Sequence, residues 1–174
     1  MIRDEKTEDL TAPPEQMLGD LLTRRGLTIA VAESCTGGLI SHRITNVPGA
    51  SKYFLLGAVA YSNECKVEQL GVDRALIEKV GAVNRDVAMA MARGIKDVAR
   101  SDIGVGVTGI AGPEGGPSYK PVGLVFVAAV SNTRQKVARH FFDGTREAVK
   151  QQASDAALTL VLEVARGILK TLER

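Results

Sequence analysis

The chain has 174 residues, 45% of them apolar and 24% charged, a composition typical of a single soluble globular domain. Its 22 basic and 20 acidic residues give a net charge of +2, and their scattered distribution argues against a dedicated nucleic-acid or membrane-binding surface. Because no apolar segment resembles a signal peptide or a transmembrane helix, we expect a cytoplasmic protein.

The N-terminal residues are highly charged, and helical spacing begins only after them. We expect a flexible leader over residues 1–10 and a single domain over residues 11–174. The first helix of this domain is expected to have Thr11 as its N-cap, with prolines in its first turn. It is predicted to end near Gly26.

Two β-prone runs follow, at residues 27–33 and 53–62. The helical spacing that resumes after the first run predicts a strand-to-helix turn over residues 34–38. At the second run the pattern breaks at Asn63 and Glu64, which predicts a polar loop there.

The second half of the chain continues this alternation. We predict helices at residues 73–80 and 84–100, a strand at 102–110, a β-hairpin over 122–142 and a final helix over 145–172. Strands that alternate with helices and end in a hairpin indicate an α/β sandwich with a mixed sheet.

Three polar segments follow the predicted strands: "ESCTGG", "YSNECK" and "TGIAGPEGG". Ligands of open α/β sheets bind where the carboxyl ends of parallel strands meet helix N-termini. If these strands are parallel, the three segments share one rim of the sheet.

The first segment offers Ser34 at a strand-to-helix corner. The backbone N–H groups of Thr36, Gly37 and Gly38 are candidates to bind an oxyanion or a phosphate. The turn lacks the GxSxG pattern of α/β-hydrolases, so Ser34 or Thr36 serving only as a helix cap is an equal alternative.

A serine nucleophile needs a base, and the chain has only two histidines. His42 lies two helical turns beyond Ser34 and His140 lies on the predicted hairpin, so neither is well placed. The second segment supplies Lys66 and Tyr61 instead. A lysine acts as a base only when burial or a nearby cation lowers its pKa from about 10.4, and a solvated surface lysine is the alternative.

Cysteine chemistry is the rival to serine chemistry. Cys35 follows Ser34 directly, and a helix N-terminus lowers the pKa of a thiol, although a small buried structural residue is the alternative reading. With Cys65 as its only companion, the chain has neither a disulfide framework nor a Cys/His cluster of metal-ligand spacing. We therefore expect two reduced thiols and no metal.

The third segment is a glycine-rich loop that begins at Thr108 and includes Gly109 and Gly112. Such loops expose N–H groups to anions, although this loop is not a P-loop and could be a plain connection. Arg146 lies at the start of the last predicted helix, where the helix dipole also favours an anion, and a surface arginine is the alternative.

Taken together, these segments resemble the CinA C-terminal domain family, whose stand-alone members include nicotinamide-nucleotide amidohydrolases. The resemblance extends from about residue 16 to residue 172. It implies a three-layer α/β/α domain with a mixed, mostly parallel five-stranded sheet in which one strand is antiparallel. The segments that carry it are "AESCTGGLIS", "AYSNECK", "GVTGIAGPEGGPSYKPVG" and "FFDGTREAVKQQA".

The resemblance implies hydrolysis of the carboxamide of nicotinamide mononucleotide to nicotinate mononucleotide and ammonia, without a metal or another cofactor. Ser34 matches the nucleophile of the family, Lys66 its base and Tyr61 a residue that orients the dyad. Thr108 and Arg146 match further residues of the family. Together with Gly109 and Gly112, they are expected to bind the ribose or the phosphate.

Other functions remain open at this point. The chain could be a nucleotide-binding regulatory module that keeps the pocket without catalysis, or a DNA-associated accessory protein, which the balanced charge disfavours. Many family members carry an N-terminal nucleotide-hydrolysing domain, and the residues before Thr11 are too few to form one. We also expect a homodimer or a higher homo-oligomer.

Overall fold

The computed structural model describes residues 11–116 and 119–168. The predicted leader lies outside these residues. The last helix ends at Arg166 with Gly167 as its C-cap residue, earlier than the predicted end at Leu172. A 3₁₀ turn, Ala50–Lys52, separates the second helix from the second strand. The helices and strands are α1 (Pro14–Arg25), β1 (Ile29–Glu33), α2 (Leu39–Thr45), β2 (Phe54–Val59), α3 (Asn63–Leu70), α4 (Arg74–Val80), α5 (Arg85–Ala99), β3 (Ile103–Gly109), β4 (Leu124–Ser131), β5 (Gln135–Phe141) and α6 (Arg146–Arg166).

The five strands form one sheet in the order β2-β1-β3-β4-β5. Strand β1 pairs in parallel with β2 and β3, whereas β4 is antiparallel to both β3 and β5. Four strands therefore run in one direction and β4 runs in the other. This arrangement confirms the predicted mixed, mostly parallel sheet and the predicted hairpin.

Helices cover both faces of the sheet. On one face α1, α2 and α6 pack against side chains such as Val31, and on the other α3, α4 and α5 pack against Ala30 and Ala32. This alternation along β1 buries both faces and makes the domain a three-layer α/β/α sandwich. Over residues 11–116 and 119–168, no helix combines the length and the apolar character needed to cross a bilayer.

Helix α5 lies unusually close to β3. A Cβ atom on Gly104 or Gly106 would clash with the carbonyl oxygens of Ala92 and Ala88, so only glycine allows this approach. The contact fixes the strand whose carboxyl end carries Thr108.

The first helix does not begin as predicted, because Pro13 and not Thr11 is its N-cap residue. Pro14 occupies the first helical position, where its missing N–H group costs nothing. A residue that precedes a proline is held in the extended region, as the ψ angle of 145° at Pro13 shows, so the helix cannot begin earlier.

The segment predicted as a polar loop after β2 is helix α3. The hydroxyl of Ser62 accepts a hydrogen bond from the N–H of Cys65 at 3.0 Å and caps the helix, and Gly71 ends it in the left-handed conformation. Lys66 therefore projects from a helix, which restricts its position more than a loop would.

Candidate active site

The three polar segments meet at one rim of the sheet because β1, β2 and β3 are parallel. They surround a cleft of about 480 Å³. Seven of the ten predicted site residues line this cleft: Ser34, Tyr61, Lys66, Thr108, Gly109, Gly112 and Arg146.

Ser34 and Lys66 form a buried pair at the base of the cleft. The Nζ atom of Lys66 lies 3.2 Å from the Oγ atom of Ser34, within hydrogen-bond distance. Ser34 is 8% exposed and Lys66 is 1% exposed. One side chain comes from the end of β1 and the other from the first half of α3, so the fold brings together two groups 32 residues apart.

The surroundings of Lys66 contain no carboxylate contact among the described residues. Its Nζ donates to the backbone carbonyls of Ala60 at 2.9 Å, Tyr61 at 3.0 Å and Ser62 at 3.4 Å. Burial lowers the pKa of Lys66, and the nearby thiols of Cys35 and Cys65 oppose this shift. A neutral amine has two N–H donors and a lone pair, so it can donate to two carbonyls and accept the proton of a serine hydroxyl.

The corner that carries Ser34 is a tight turn between β1 and α2. The N–H of Ser34 donates to the carbonyl of Val107 at 3.0 Å, and the carbonyl of Ser34 accepts from the N–H of Gly37 at 3.1 Å. Gly37 and Gly38 have φ angles of +61° and +94°, which other residues rarely adopt. These bonds fix the backbone from which the Ser34 hydroxyl projects.

The predicted anion-binding residues Thr36, Gly37 and Gly38 do not line the cleft. The Gly37 amide is used within the turn, and the Gly38 amide donates to the carboxylate of Glu33 at 3.0 Å. Among the described residues of this turn, the N–H groups of Cys35 and Thr36 have no backbone acceptor, and of these two residues only Cys35 lines the cleft. The candidate oxyanion site therefore has fewer N–H donors than predicted.

The hydroxyl of Tyr61 contacts Arg146 and not the dyad. It accepts a hydrogen bond from Nη2 of Arg146 at 2.7 Å, whereas only the backbone carbonyl of Tyr61 contacts Lys66. Nη1 of Arg146 donates to the carbonyl of Gly112 at 2.7 Å. The predicted role of the Tyr61 side chain in orienting the dyad does not fit this geometry, and Arg146 instead joins the second and third segments.

Thr108 and Gly109 form the wall behind the cleft. The hydroxyl of Thr108 donates to the carbonyl of Ala82 at 3.0 Å, so its proton is already used and only its lone pairs can accept from a ligand. A Cβ atom on Gly109 would lie 3.0 Å from the sulfur of Cys35 and 2.7 Å from a methyl carbon of Val125. Gly109 therefore shapes the cleft through close packing.

Lys120 is a cleft residue that the sequence analysis missed. Its Nζ donates to the carbonyl of Val80 at 2.6 Å, across the cleft wall. Neither Lys120 nor Arg146 forms an ion pair with a carboxylate within residues 11–116 and 119–168. The sequence signal that could have identified Lys120 is its position as the only lysine in the glycine- and proline-rich segment.

The alternative nucleophile and bases are poorly suited to catalysis. Burial raises the pKa of the Cys35 thiol to about 12, which fits the reading of Cys35 as a small buried structural residue and not as a nucleophile. His42 is an exposed residue of α2 that pairs with Asn46, and His140 stacks on Phe142. Neither histidine lines the cleft.

Known proteins have sequences similar to this chain. A model of the CinA C-terminal domain matches residues 11–165. CinA-like proteins of Geobacter sulfurreducens and Syntrophobacter fumaroxidans are 51% identical over 138 residues and 45% identical over 150 residues. The alignments cover 79% and 86% of this chain but 33% and 35% of those relatives, so the chain spans about a third of their length.

Solved structures agree with this relationship. A protein of the competence-damaged protein (CinA) superfamily from Klebsiella pneumoniae has a TM-score of 0.86 and 30% identity, over 89% of this chain and 97% of that chain. The competence/damage inducible protein CihA from Agrobacterium tumefaciens has a TM-score of 0.82 and 34% identity, over 90% of this chain and 98% of that one. The chain therefore belongs to the CinA family, and it corresponds to the C-terminal domain of that family.

Proposed function

We propose that the protein hydrolyses the carboxamide of nicotinamide mononucleotide to nicotinate mononucleotide and ammonia, with Ser34 as nucleophile and Lys66 as base. The observation that carries this proposal is the buried pair of Ser34 Oγ and Lys66 Nζ, 3.2 Å apart in a cleft. The substrate class follows from the resemblance to family members that are nicotinamide-nucleotide amidohydrolases.

The reaction divides into acylation and deacylation. Ser34 Oγ attacks the carboxamide carbon while Lys66 accepts its proton, and the amide of Cys35, which lines the cleft, is the candidate donor to the resulting oxyanion. The C–N bond then breaks, and Lys66 returns the proton to the departing ammonia. Water attacks the ester on Ser34 with Lys66 again as base, which releases the carboxylate and restores the serine.

The charges of the cleft suit this substrate. Its pyridinium ring is cationic, so its arrival beside Lys66 favours the neutral amine that the reaction needs. Lys120 and Arg146 retain N–H donors for a phosphate, since their bonds within the described residues go to neutral oxygen atoms.

The deciding experiment incubates the purified protein with nicotinamide mononucleotide and measures ammonia and nicotinate mononucleotide. We expect both products in equal amounts, and no turnover in a Ser34→Ala variant that still binds the substrate. Tight binding by the wild-type protein without ammonia would overturn the hydrolase and support a regulatory nucleotide-binding module. Full turnover by Ser34→Ala would overturn the nucleophile assignment.

A further inference from the structure

Glu33 is a completely buried acidic residue with no part in the reaction described above. It precedes Ser34 directly in the chain, at the last position of β1. Its Oε2 accepts hydrogen bonds from the N–H groups of Gly38 at 3.0 Å and Ile40 at 3.1 Å, and its Oε1 accepts from the N–H and the hydroxyl of Ser41 at 2.8 and 2.7 Å.

These four bonds give Glu33 a mechanical role in the turn. The carboxylate satisfies backbone donors that the N-terminus of α2 would otherwise leave unpaired, and a negative charge is favourable there. Its backbone belongs to β1, so the side chain closes a loop that ties the end of the strand to the start of the helix. Ser34 lies inside this loop.

The geometry excludes a direct chemical role for this carboxylate. Glu33 does not line the cleft, and both of its oxygen atoms already accept two hydrogen bonds each. The four bonds also hold the carboxylate away from Lys66, whose partners among the described residues are a hydroxyl and three carbonyls. A carboxylate beside Lys66 would stabilise the ammonium form and remove the base.

We infer that Glu33 is a positioning residue, which holds the hydroxyl of Ser34 against the amine of Lys66 by pinning the turn to α2. The effects of Glu33 on kcat and KM rest on the proposed hydrolase function. Its effect on the distance between Ser34 Oγ and Lys66 Nζ is independent of that function.

The principal test is Glu33→Gln, which turns one acceptor oxygen into an NH₂ group that faces backbone N–H donors. A displacement of about 1 Å in a catalytic group can cost about 100-fold in rate, so we expect kcat to fall by about that factor while KM changes less than about threefold. Assays are run well below the unfolding temperature of each variant, so that lost stability alone does not lower kcat.

A matched control carries a similar change far from the cleft. Asp102 Oδ2 accepts hydrogen bonds from the N–H and the hydroxyl of Thr28 at 2.8 and 2.9 Å, at the opposite end of β1. Asp102→Asn should lower the unfolding temperature and leave kcat unchanged. A Glu33→Gln protein with kcat within about threefold of wild type would overturn the inference.

Two further measurements keep the test decisive. If Glu33→Gln does not fold, Ser41→Ala removes one of the four bonds and should lower kcat by about threefold to tenfold without raising KM, and an unchanged kcat overturns the inference. Crystal structures of the variants give the distance from Ser34 Oγ to Lys66 Nζ directly. A longer distance than in the wild type supports the inference even if the wild type releases no ammonia, and an unchanged distance overturns it.

Discussion

The two ends of the cleft hold their polar groups in opposite ways. At the base, Ser34 and Lys66 are almost completely buried, and a network of backbone hydrogen bonds fixes both. At the mouth, Tyr61 is 57% and Tyr119 is 75% exposed, and the cations there bind neutral oxygen atoms. A buried, fixed end suits bond making and breaking, whereas an open end with spare donors suits recognition of a charged substrate.

This contrast divides the expected effects of substitution. Changes at the base should lower kcat, because they alter groups that act in the transition state. Changes at the mouth should raise KM, because they remove contacts that substrate and transition state share. The predictions below test this division.

The largest effect is expected from Lys66→Met. The loss of a general base costs about 10²- to 10⁴-fold in rate, so we expect kcat to fall by about 10³-fold or more. Lys79→Met, at an exposed lysine of α4, is the matched control and should leave kcat unchanged. The kcat of both variants is measured from steady-state ammonia release. A Lys66→Met kcat within tenfold of wild type would contradict the assignment of catalysis to the base of the cleft.

The pH dependence of kcat provides the second test. A lysine base is inactive when protonated, so kcat should rise with pH, about tenfold per unit below the pKa of Lys66, and then level off. Because burial lowers this pKa, the midpoint should lie below the ordinary value of about 10.4. The profile is measured at saturating substrate, and a kcat that stays constant from about pH 5 to pH 10 would contradict a lysine base.

Strand order predicted where the polar segments meet, because residues directly after parallel strands lie at one rim of the sheet. The pairing of Ser34 with Lys66 was implied by the resemblance to the CinA C-terminal domain family, since position alone left a surface lysine as the alternative. The helix that carries Lys66 was missed, although Ser62 is a typical cap. Asn63 and Glu64 broke the strand pattern there, and the break was interpreted as a loop.

The remaining site features depend on side-chain directions that spacing does not encode. Nothing in the order of residues distinguishes a Tyr61 hydroxyl directed at Lys66 from one directed at Arg146. The role of Glu33 likewise depends on the folded start of α2, which offers it four donors. The available signal was an acidic residue just before a helix. The sequence analysis considered the neighbouring serine and cysteine as nucleophiles and assigned no role to Glu33.

At the mouth of the cleft we expect a moderate effect from Lys120→Met. A hydrogen bond to a charged group contributes about 1.5–3 kcal/mol, so KM for nicotinamide mononucleotide should rise by about tenfold to 100-fold with kcat almost unchanged. Nicotinamide riboside, which lacks the phosphate, is the control substrate and should react equally with both proteins. An equal loss with both substrates would show that Lys120 does not recognise the phosphate.

The smallest effect is expected from Tyr61→Phe, which removes only the hydroxyl that accepts from Arg146 at 2.7 Å. The backbone carbonyl that contacts Lys66 is retained, so kcat should stay within about threefold of wild type. KM should rise by a similar factor, because a hydrogen bond that helps to hold the Arg146 guanidinium is lost and its net contribution is about 1 kcal/mol.

A fall in kcat of about 100-fold or more would instead mean that the hydroxyl turns towards the dyad when substrate binds. Tyr61 would then belong to the buried, reactive end of the cleft, and the boundary between the two ends would have to move outward to include it.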